Sequence, residues 1–212
     1  MIKRIFLAVL TPLFAILSKI YSYNVHLHFM GCRNRLYTLW LRNFLGELGE
    51  NSYIGYPCSL QGGASDRIII GNNTCIQSNS ILSCTAERDG CLYNPTLKIG
   101  DNCTIGEYNH FTACGKIQIG DGLLTGRNVL ISDNSHGGLS SEEAEIPPVK
   151  RKLLSKGEIK IGNNVWLGDR VTVLSGVTIG DNVIVGVGSV VLTDIPSNSI
   201  AVGAPAKVVK KL

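Results

Sequence analysis

Acidic residues are missing from the first 46 positions of this chain, which carry Lys3, Arg4, Lys19, Arg33, Arg35 and Arg42 with no carboxylate between them. A front end that is basic and apolar points to a membrane surface more than to nucleic acid. The remaining residues hold 14 basic and 16 acidic side chains, so the net charge of +4 comes from the front end. No basic stripe interleaved with aromatics follows, which argues against a nucleic-acid partner. Charge is scarce at 17% and aromatics scarcer at 7%, against 44% hydrophobic residues and 24 glycines. That balance excludes a disordered chain and favours a narrow β-rich core of Ile, Val and Leu. The seven cysteines (Cys32, Cys58, Cys75, Cys84, Cys91, Cys103 and Cys114) include no C-x-x-C pair, so a zinc or redox motif is unsupported. Reduced structural thiols are expected, with Cys75 and Cys103 pointing inward as small apolar groups. No apolar run reaches the roughly 20 residues that a spanning helix needs. The run at 5–17 is too short, contains Pro12, which is expected to kink a helix, and has no small-x-small cleavage site after it. Three readings stand for residues 1–24: a helix in the membrane interface, a helix capping the domain that follows, or an uncleaved anchor.

What the chain has in abundance is a period. Aliphatic residues fall six apart at Ile161, Leu167, Val173, Ile179, Val185 and Val191, and again at Val165, Val171, Val177 and Val183, followed by Ser189. Six is neither the 3.6 of a helix nor the alternation of an irregular hairpin. It suits a solenoid of short strands joined by tight corners, with inward aliphatics stacked from coil to coil. The repeat is expected to begin near Ile54-Gly55 and to run for roughly six coils of three hexads. It breaks at 83–95, read as a loop extruded from one corner, and again at 133–158, a polar stretch long enough to be functional or disordered. Ahead of the repeat, His26 and His28 alternate with apolar neighbours and receive no function. Residues 33–46 read as a basic amphipathic helix with Leu36, Leu39, Trp40 and Leu45 available for burial. The expected division is 1–48 helical segment, 49–196 solenoid with loop 133–158, and 197–212 tail.

Spacing alone says nothing about chemistry, but particular residues do. The stretch IGNNVWLGDRVTVLSGVTIGDNVIVGVGSVVLTDIPSNSIAVGAPAKVV resembles the C-terminal signature of hexapeptide-repeat acyltransferases, especially maltose, galactoside and polysaccharide O-acetyltransferases. The likeness covers about residues 97–210. It implies an all-β, left-handed parallel β-helix, a homotrimer, and acetyl-CoA as acyl donor with no metal. The hand is contrary to the usual right-handed crossover, and no periodicity reveals it. NVLISDNSHGG, residues 128–138, is similar to the family segment that carries a catalytic histidine, which places that role on His136. A neutral imidazole can take the proton of a sugar hydroxyl as it attacks a thioester. Asp133, Glu142, Glu143 and Glu145 are the nearby carboxylates that stand as partners for it. Asn109, His110 and Asp133 are the candidate acceptor contacts. The resemblance places Trp166, Gly168 and Asp169 beside the pantetheine, has Gly186, Val187, Gly188 and Ser189 offer backbone groups, and sets Lys207 and Lys210 against nucleotide phosphates.

Departures accompany the likeness. Gly106 and Cys114 stand where galactoside-type enzymes place polar acceptor contacts, and Leu192-Thr193 replaces a threonine-lysine pair, so a different acceptor is expected. The functional expectation is acetyl transfer to a saccharide hydroxyl in surface polysaccharide biosynthesis. The alternative is N-acetylation of a nucleotide-linked amino sugar. A γ-type carbonic anhydrase on the same coil would need three zinc-binding histidines, and only His110 and His136 lie in the coils. A scaffold that has lost its chemistry would not be expected to keep His136. The expected location is cytoplasmic, with peripheral contact to the inner membrane face among the readings left open for residues 1–46.

Overall fold

In the computed structural model, which describes residues 2–138 and 140–211, each hexad spends its residues in the same order. The lead aliphatic turns inward: Leu167, Val173 and Val185 have no exposed surface. The second register (Val165, Val171, Val177, Val183 and Ser189) is buried at the corners. The glycine after the lead residue sits where coils approach most closely. A Cβ on Gly162 would collide with the Asp181 carboxylate and the Gly180 backbone of the next coil. The Asp or Asn that follows accepts a backbone N–H from the preceding coil. Asp121 takes Asp101 N (2.8 Å), Asn163 takes Asp121 N (2.8 Å) and Asp181 takes Asn163 N (2.6 Å). The next asparagine adopts positive φ, at 55° for Asn102 and 54° for both Asn164 and Asn182, a conformation that asparagine tolerates better than most residues. Each G-(D/N)-N triplet is therefore a complete corner.

Three corners per coil give three faces. The first face stacks Glu47–Leu48, Ile68–Ile70, Thr96–Ile99, Lys116–Ile119, Ile159–Ile161 and Thr178–Ile179. The second stacks Tyr53–Ile54, Cys75–Ile76, Thr104–Ile105, Leu124–Thr125, Trp166–Leu167, Ile184–Val185 and Ser199–Val202, and antiparallel Lys207–Lys211 closes its edge. The third stacks Cys58–Gln61, Ser80–Cys84, His110–Ala113, Leu130–Ser132, Thr172–Leu174 and Val190–Val191. The ladders between coils are parallel. The fold is the left-handed parallel β-helix expected from the sequence. Its first coil begins at Glu47 rather than near Ile54, because Leu48-Gly49 is itself a hexad lead. Cys103 is buried as expected, but Cys75 faces outward and Ile76 takes the inward place.

The front end is two helices, α1 (Ile2–Ile20) and α2 (Tyr23–Leu41). Helix α1 continues through Pro12, and Ser22 caps α2 by accepting Val25 N. His26 and His28 thus lie on the first turns of a helix, not in an alternating strand. The open end of a β-helix presents unpaired backbone groups, and α2 meets them with polar side chains. Thr38 Oγ1 accepts Ile54 N (3.0 Å), Tyr37 OH accepts Cys58 N (3.1 Å) and Asn34 Oδ1 accepts Tyr56 N (3.2 Å). This reverses the orientation expected for 33–46. Leu45 is buried, but Leu36, Leu39 and Trp40 are exposed, because the docked face had to supply hydrogen bonds. Phe6, Leu13, Phe14, Ile16 and Leu17 of α1 are uncovered as well. No single described helix is long and apolar enough to cross a membrane; the two qualify only as a pair bent by 60°.

Phe111 is the bulkiest fully buried side chain and lies beneath the outward residues His110 and Thr112. Phe111→Ala should destabilise the protein by about 3–5 kcal/mol, the scale of an aromatic cavity in a packed core. Urea unfolding checks this; a loss below about 1 kcal/mol would mean that the coil collapses around the gap.

Candidate active site

Two excursions leave the same edge of the solenoid, after the third-face strands Ser80–Cys84 and Leu130–Ser132. The first is a hairpin, Glu87–Arg88 against Cys91–Leu92, turning on Asp89 and Gly90, both at positive φ. Asp-Gly is a strong sequence signal for that turn, so the hairpin within 83–95 was legible. The second excursion starts with Ser135–His136 running antiparallel to Leu153–Leu154 and carries a one-turn helix, α3 (Ser141–Ala144). The loop is thus a flap with a two-residue ladder at its base. The two excursions touch where Leu153 N donates to Tyr93 OH (2.9 Å).

Between them lies a groove of about 530 Å³. Its floor is the outward row Ser83, Thr112 and Ser132 with His110 beside it, and its walls include Glu87, Arg88, Asn134, His136 and Leu153. His110 is half-buried and lines the groove. Partial burial pushes its imidazole below the usual histidine pKa by desolvation, which favours the neutral ring at pH 7. His136 is exposed at the groove wall, and its imidazole has no hydrogen-bond partner among the described residues.

The other two candidate acceptor contacts are corrected. Asp133 is fully buried and accepts Cys114 N (2.8 Å), Gly115 N (2.8 Å) and Asn134 Nδ2 (3.1 Å). It anchors the root of the flap that carries His136 and does not reach the groove. Asn109 is also buried. Its amide donates to Gly106 O (3.1 Å), Thr125 Oγ1 (2.6 Å) and Gly126 O (3.1 Å), and its carbonyl accepts Val129 N (2.6 Å). Both are short polar residues filling a corner that lacks the regular glycine-aspartate solution. Glu143 accepts Gly138 N (2.6 Å) and so braces the flap, and Glu145 is exposed; the Glu142 side chain lies outside the described residues. Buried thiols lie close by. Desolvation, followed by the Asp133 charge, pushes Cys114 up to about 11, and desolvation pushes Cys84 up to about 12. Both therefore stay protonated and are poor nucleophiles. Sequence reasoning missed Arg88, Thr112 and Asn134. Only the folded arrangement of the third face and its two excursions brings them together.

The expected donor-binding residues lie elsewhere. Trp166 is 49% exposed on the second face, in one outward row with Leu124, Ile184 and Ile200. Lys210 pairs with Ile200 and Lys207 with Val202, so both exposed lysines extend that face at its end. The apolar row thus runs toward a cationic end. Asp169 is exposed, and its Oδ1 accepts Arg127 N (2.9 Å) and braces a corner, packed against Gly126. Gly168 is likewise explained by its corner, since a Cβ would meet the Val187 backbone. Gly186 N, Gly188 N and Ser189 N donate within the solenoid, and Ser189 is buried. Of these four, only Val187, 72% exposed, keeps its N–H without a partner among the described residues. His136 and Trp166 stand on different faces of one chain and share no groove.

Residues 158–193 match the family model described as bacterial transferase hexapeptide, six repeats. Over 115 residues the chain is 40% identical to the putative lipopolysaccharide biosynthesis O-acetyl transferase WbbJ of Escherichia coli K12, covering 52% of this chain and 58% of that protein. The maltose O-acetyltransferase of Clostridium difficile 630 superposes with a TM-score of 0.53 at 29% identity, over 81% of this chain and 72% of that one. The chain resembles the hexapeptide-repeat acyltransferases. The N-acyltransferase AntD from Bacillus cereus, solved with dTDP and 3-hydroxybutyryl-CoA, superposes with a TM-score of 0.64 over 82% of this chain and 87% of that one. At 21% identity that likeness speaks to the fold alone. The chain spans little more than half the length of WbbJ. Among the described residues no cluster of three or more His, Cys, Asp or Glu side chains is placed to hold a metal ion.

The lowered His110 pKa makes a prediction with a definite sign. Near pH 6.5 the unfolded imidazole binds a proton that the folded one refuses. Stability should therefore fall as pH drops through 6.5 and level off below the folded pKa. His110→Gln should flatten this part of the profile, read as urea midpoints between neutral and mildly acid pH. An unchanged slope would assign it to other groups.

Proposed function

We propose that this protein transfers the acetyl group of acetyl-CoA to a hydroxyl of a saccharide in surface polysaccharide synthesis, with His136 as general base. The observation that carries this reading is the placement of His136, exposed on the wall of a polar groove at the base of the flap. The family likeness supports the same residue. As the acceptor oxygen attacks the thioester carbonyl, Nε2 or Nδ1 of neutral His136 takes the hydroxyl proton. The carbon–sulfur bond then breaks, and the imidazolium returns the proton to the departing thiolate. Protonated Cys84 and Cys114 give no support to a covalent acyl-enzyme, so direct transfer is favoured. For the donor, the row from Trp166 through Ile184 and Ile200 to Lys210 and Lys207 suits an apolar arm that ends in phosphates. Its separation from His136 supports a homotrimer in which one copy's second face meets another copy's groove. The polar first face, with Lys98, Gln118 and Lys160 outward, suits the solvent side.

The reading extends to the front end. The uncovered apolar side of α1 and α2, basic and without a carboxylate through residue 46, suits peripheral contact with an anionic membrane on the cytoplasmic side. A lipid-linked saccharide acceptor would then be met at the surface.

His136→Ala should lower acetyl-CoA-dependent turnover at least about 100-fold, the scale of a lost general base. Near-wild-type thiol release with saccharide acceptors would sink the assignment, and release with amino sugars in place of hydroxyl sugars would move it to N-acetylation. Separately, the double substitution Phe14→Glu and Leu17→Glu should abolish flotation of the full chain with phosphatidylglycerol vesicles. Equal flotation of variant and wild type would leave the helices as a cap only.

A further inference from the structure

The corner between the second and third faces holds a strain that the coils do not require. Tyr108 N donates to Ser78 O, Asn128 N to Glu107 O, Arg170 N to Arg127 O and Gly188 N to Asp169 O. Each donor thus reaches the residue just before its counterpart one coil earlier, which stacks Asn79, Tyr108, Asn128, Arg170 and Gly188 in one column, all at positive φ. Eleven described non-glycine residues have positive φ, and eight of them are asparagine. Asp89 is a ninth and turns a hairpin. The other two, Tyr108 (60°) and Arg170 (58°), both belong to this column. A bulky side chain is disfavoured in the left-handed region, and it persists where contacts beyond the local backbone hold it there. Asn79, Asn128 and Gly188 show what the corner itself asks for.

No packing within the chain accounts for the two exceptions. Tyr108 is 53% exposed. Arg170 is exposed too, and its guanidinium has no hydrogen-bond or ion-pair partner among the described residues. Beside it Asp169 is exposed, with Oδ1 engaged by Arg127 N. Glu107 and Arg127 already neutralise each other at 3.1 Å, so the charges left over at this corner are one cation and one carboxylate. The faces fix where the corner points. The third face holds the groove and the second the row of Trp166. A ring in which one copy's second face turns toward the next copy's third face aims their shared corner at the symmetry axis and the first face outward.

We propose that this corner is the axial contact of the homotrimer, held by Tyr108 and by Arg170 of each copy against Asp169 of its neighbour. This rests on the homotrimer reading and names the residues that hold the copies together. In a closed ring each copy offers Arg170 to one neighbour and Asp169 to the other, so every cation meets a carboxylate. Three tyrosine rings then fill the axis at one level. Three charge pairs close it two coils further on, about 10 Å away at a strand spacing of about 4.8 Å.

Sedimentation velocity of the full chain, with α1 and α2 covered by a nonionic detergent, reads the assembly. The wild type should sediment as a trimer. Tyr108→Asn combined with Arg170→Asn should raise the concentration at which half the chains are assembled by at least about 10-fold, the scale of losing a central contact residue. Asparagine suits positive φ, so at a dilution where both are monomeric the urea midpoint of this variant should equal or exceed that of the wild type. Lost assembly is then not lost folding. Lys98→Asn, on the outward first face, should assemble as the wild type does. The proposal is overturned if the double variant assembles at the wild-type concentration, or if Lys98→Asn weakens assembly equally. A wild type that stays monomeric overturns the homotrimer reading itself and this contact with it. Should the urea midpoint fall, glycine at both positions, the residue that Gly188 already places in the column, decides by the same two outcomes.

Discussion

The structure depends on one repeated contact, the side-chain oxygen of an Asp or Asn accepting a backbone N–H from the coil before it. Asp101, Asp121, Asn163 and Asp181 form that ladder along one edge. Each contact requires a neighbouring glycine, because the coils are too close for a Cβ, and a following residue that tolerates positive φ. Regular coils therefore have little freedom. Chemistry has to appear where the repeat breaks, and both excursions leave from the same edge.

The same accounting explains the front end. A solenoid needs a cap that satisfies the open backbone of its first coil, and only polar side chains can do that. Asn34, Tyr37 and Thr38 turn α2 so that its hydrogen-bonding face is inside. Leu36, Leu39 and Trp40 are then forced outward. Amphipathicity usually assigns the apolar side to the core. Here the need to pair backbone groups outweighs it, and one helix both closes the solenoid and leaves a surface uncovered.

This reversal marks the boundary of what the sequence could disclose. The inward aliphatics and the two excursions were legible, because each follows from a local pattern. Asn109 and Asp133 were misread for a common reason. Near a histidine, a polar residue looks like a ligand, and nothing local shows that its hydrogen bonds are already taken by the backbone of the next coil. Asp169 and the 186–189 corner likewise carry backbone contacts that no local pattern shows. Arg88 was invisible for the opposite reason. It lies in a stretch that only interrupts the repeat, and its place on the groove wall appears once that stretch folds as a hairpin beside the third face.

Polar groups in this fold sort by whether the backbone has already claimed them. Asp133, Asn109, Asp169 and Ser189 are claimed, and each maintains a corner. His136, Arg88 Nε and Val187 N are not claimed by the described residues, and none lies at the regular glycine-aspartate corners. His136 and Arg88 sit across one groove on the third-face edge, while Val187 lies with Trp166 toward the second face. The solenoid therefore holds these two groups of unclaimed residues on separate faces of one chain. Rigid coils cannot bend to join them. If they act together, they must do so across a contact between copies, which places the demand for assembly in the same backbone ladder that makes each coil stiff.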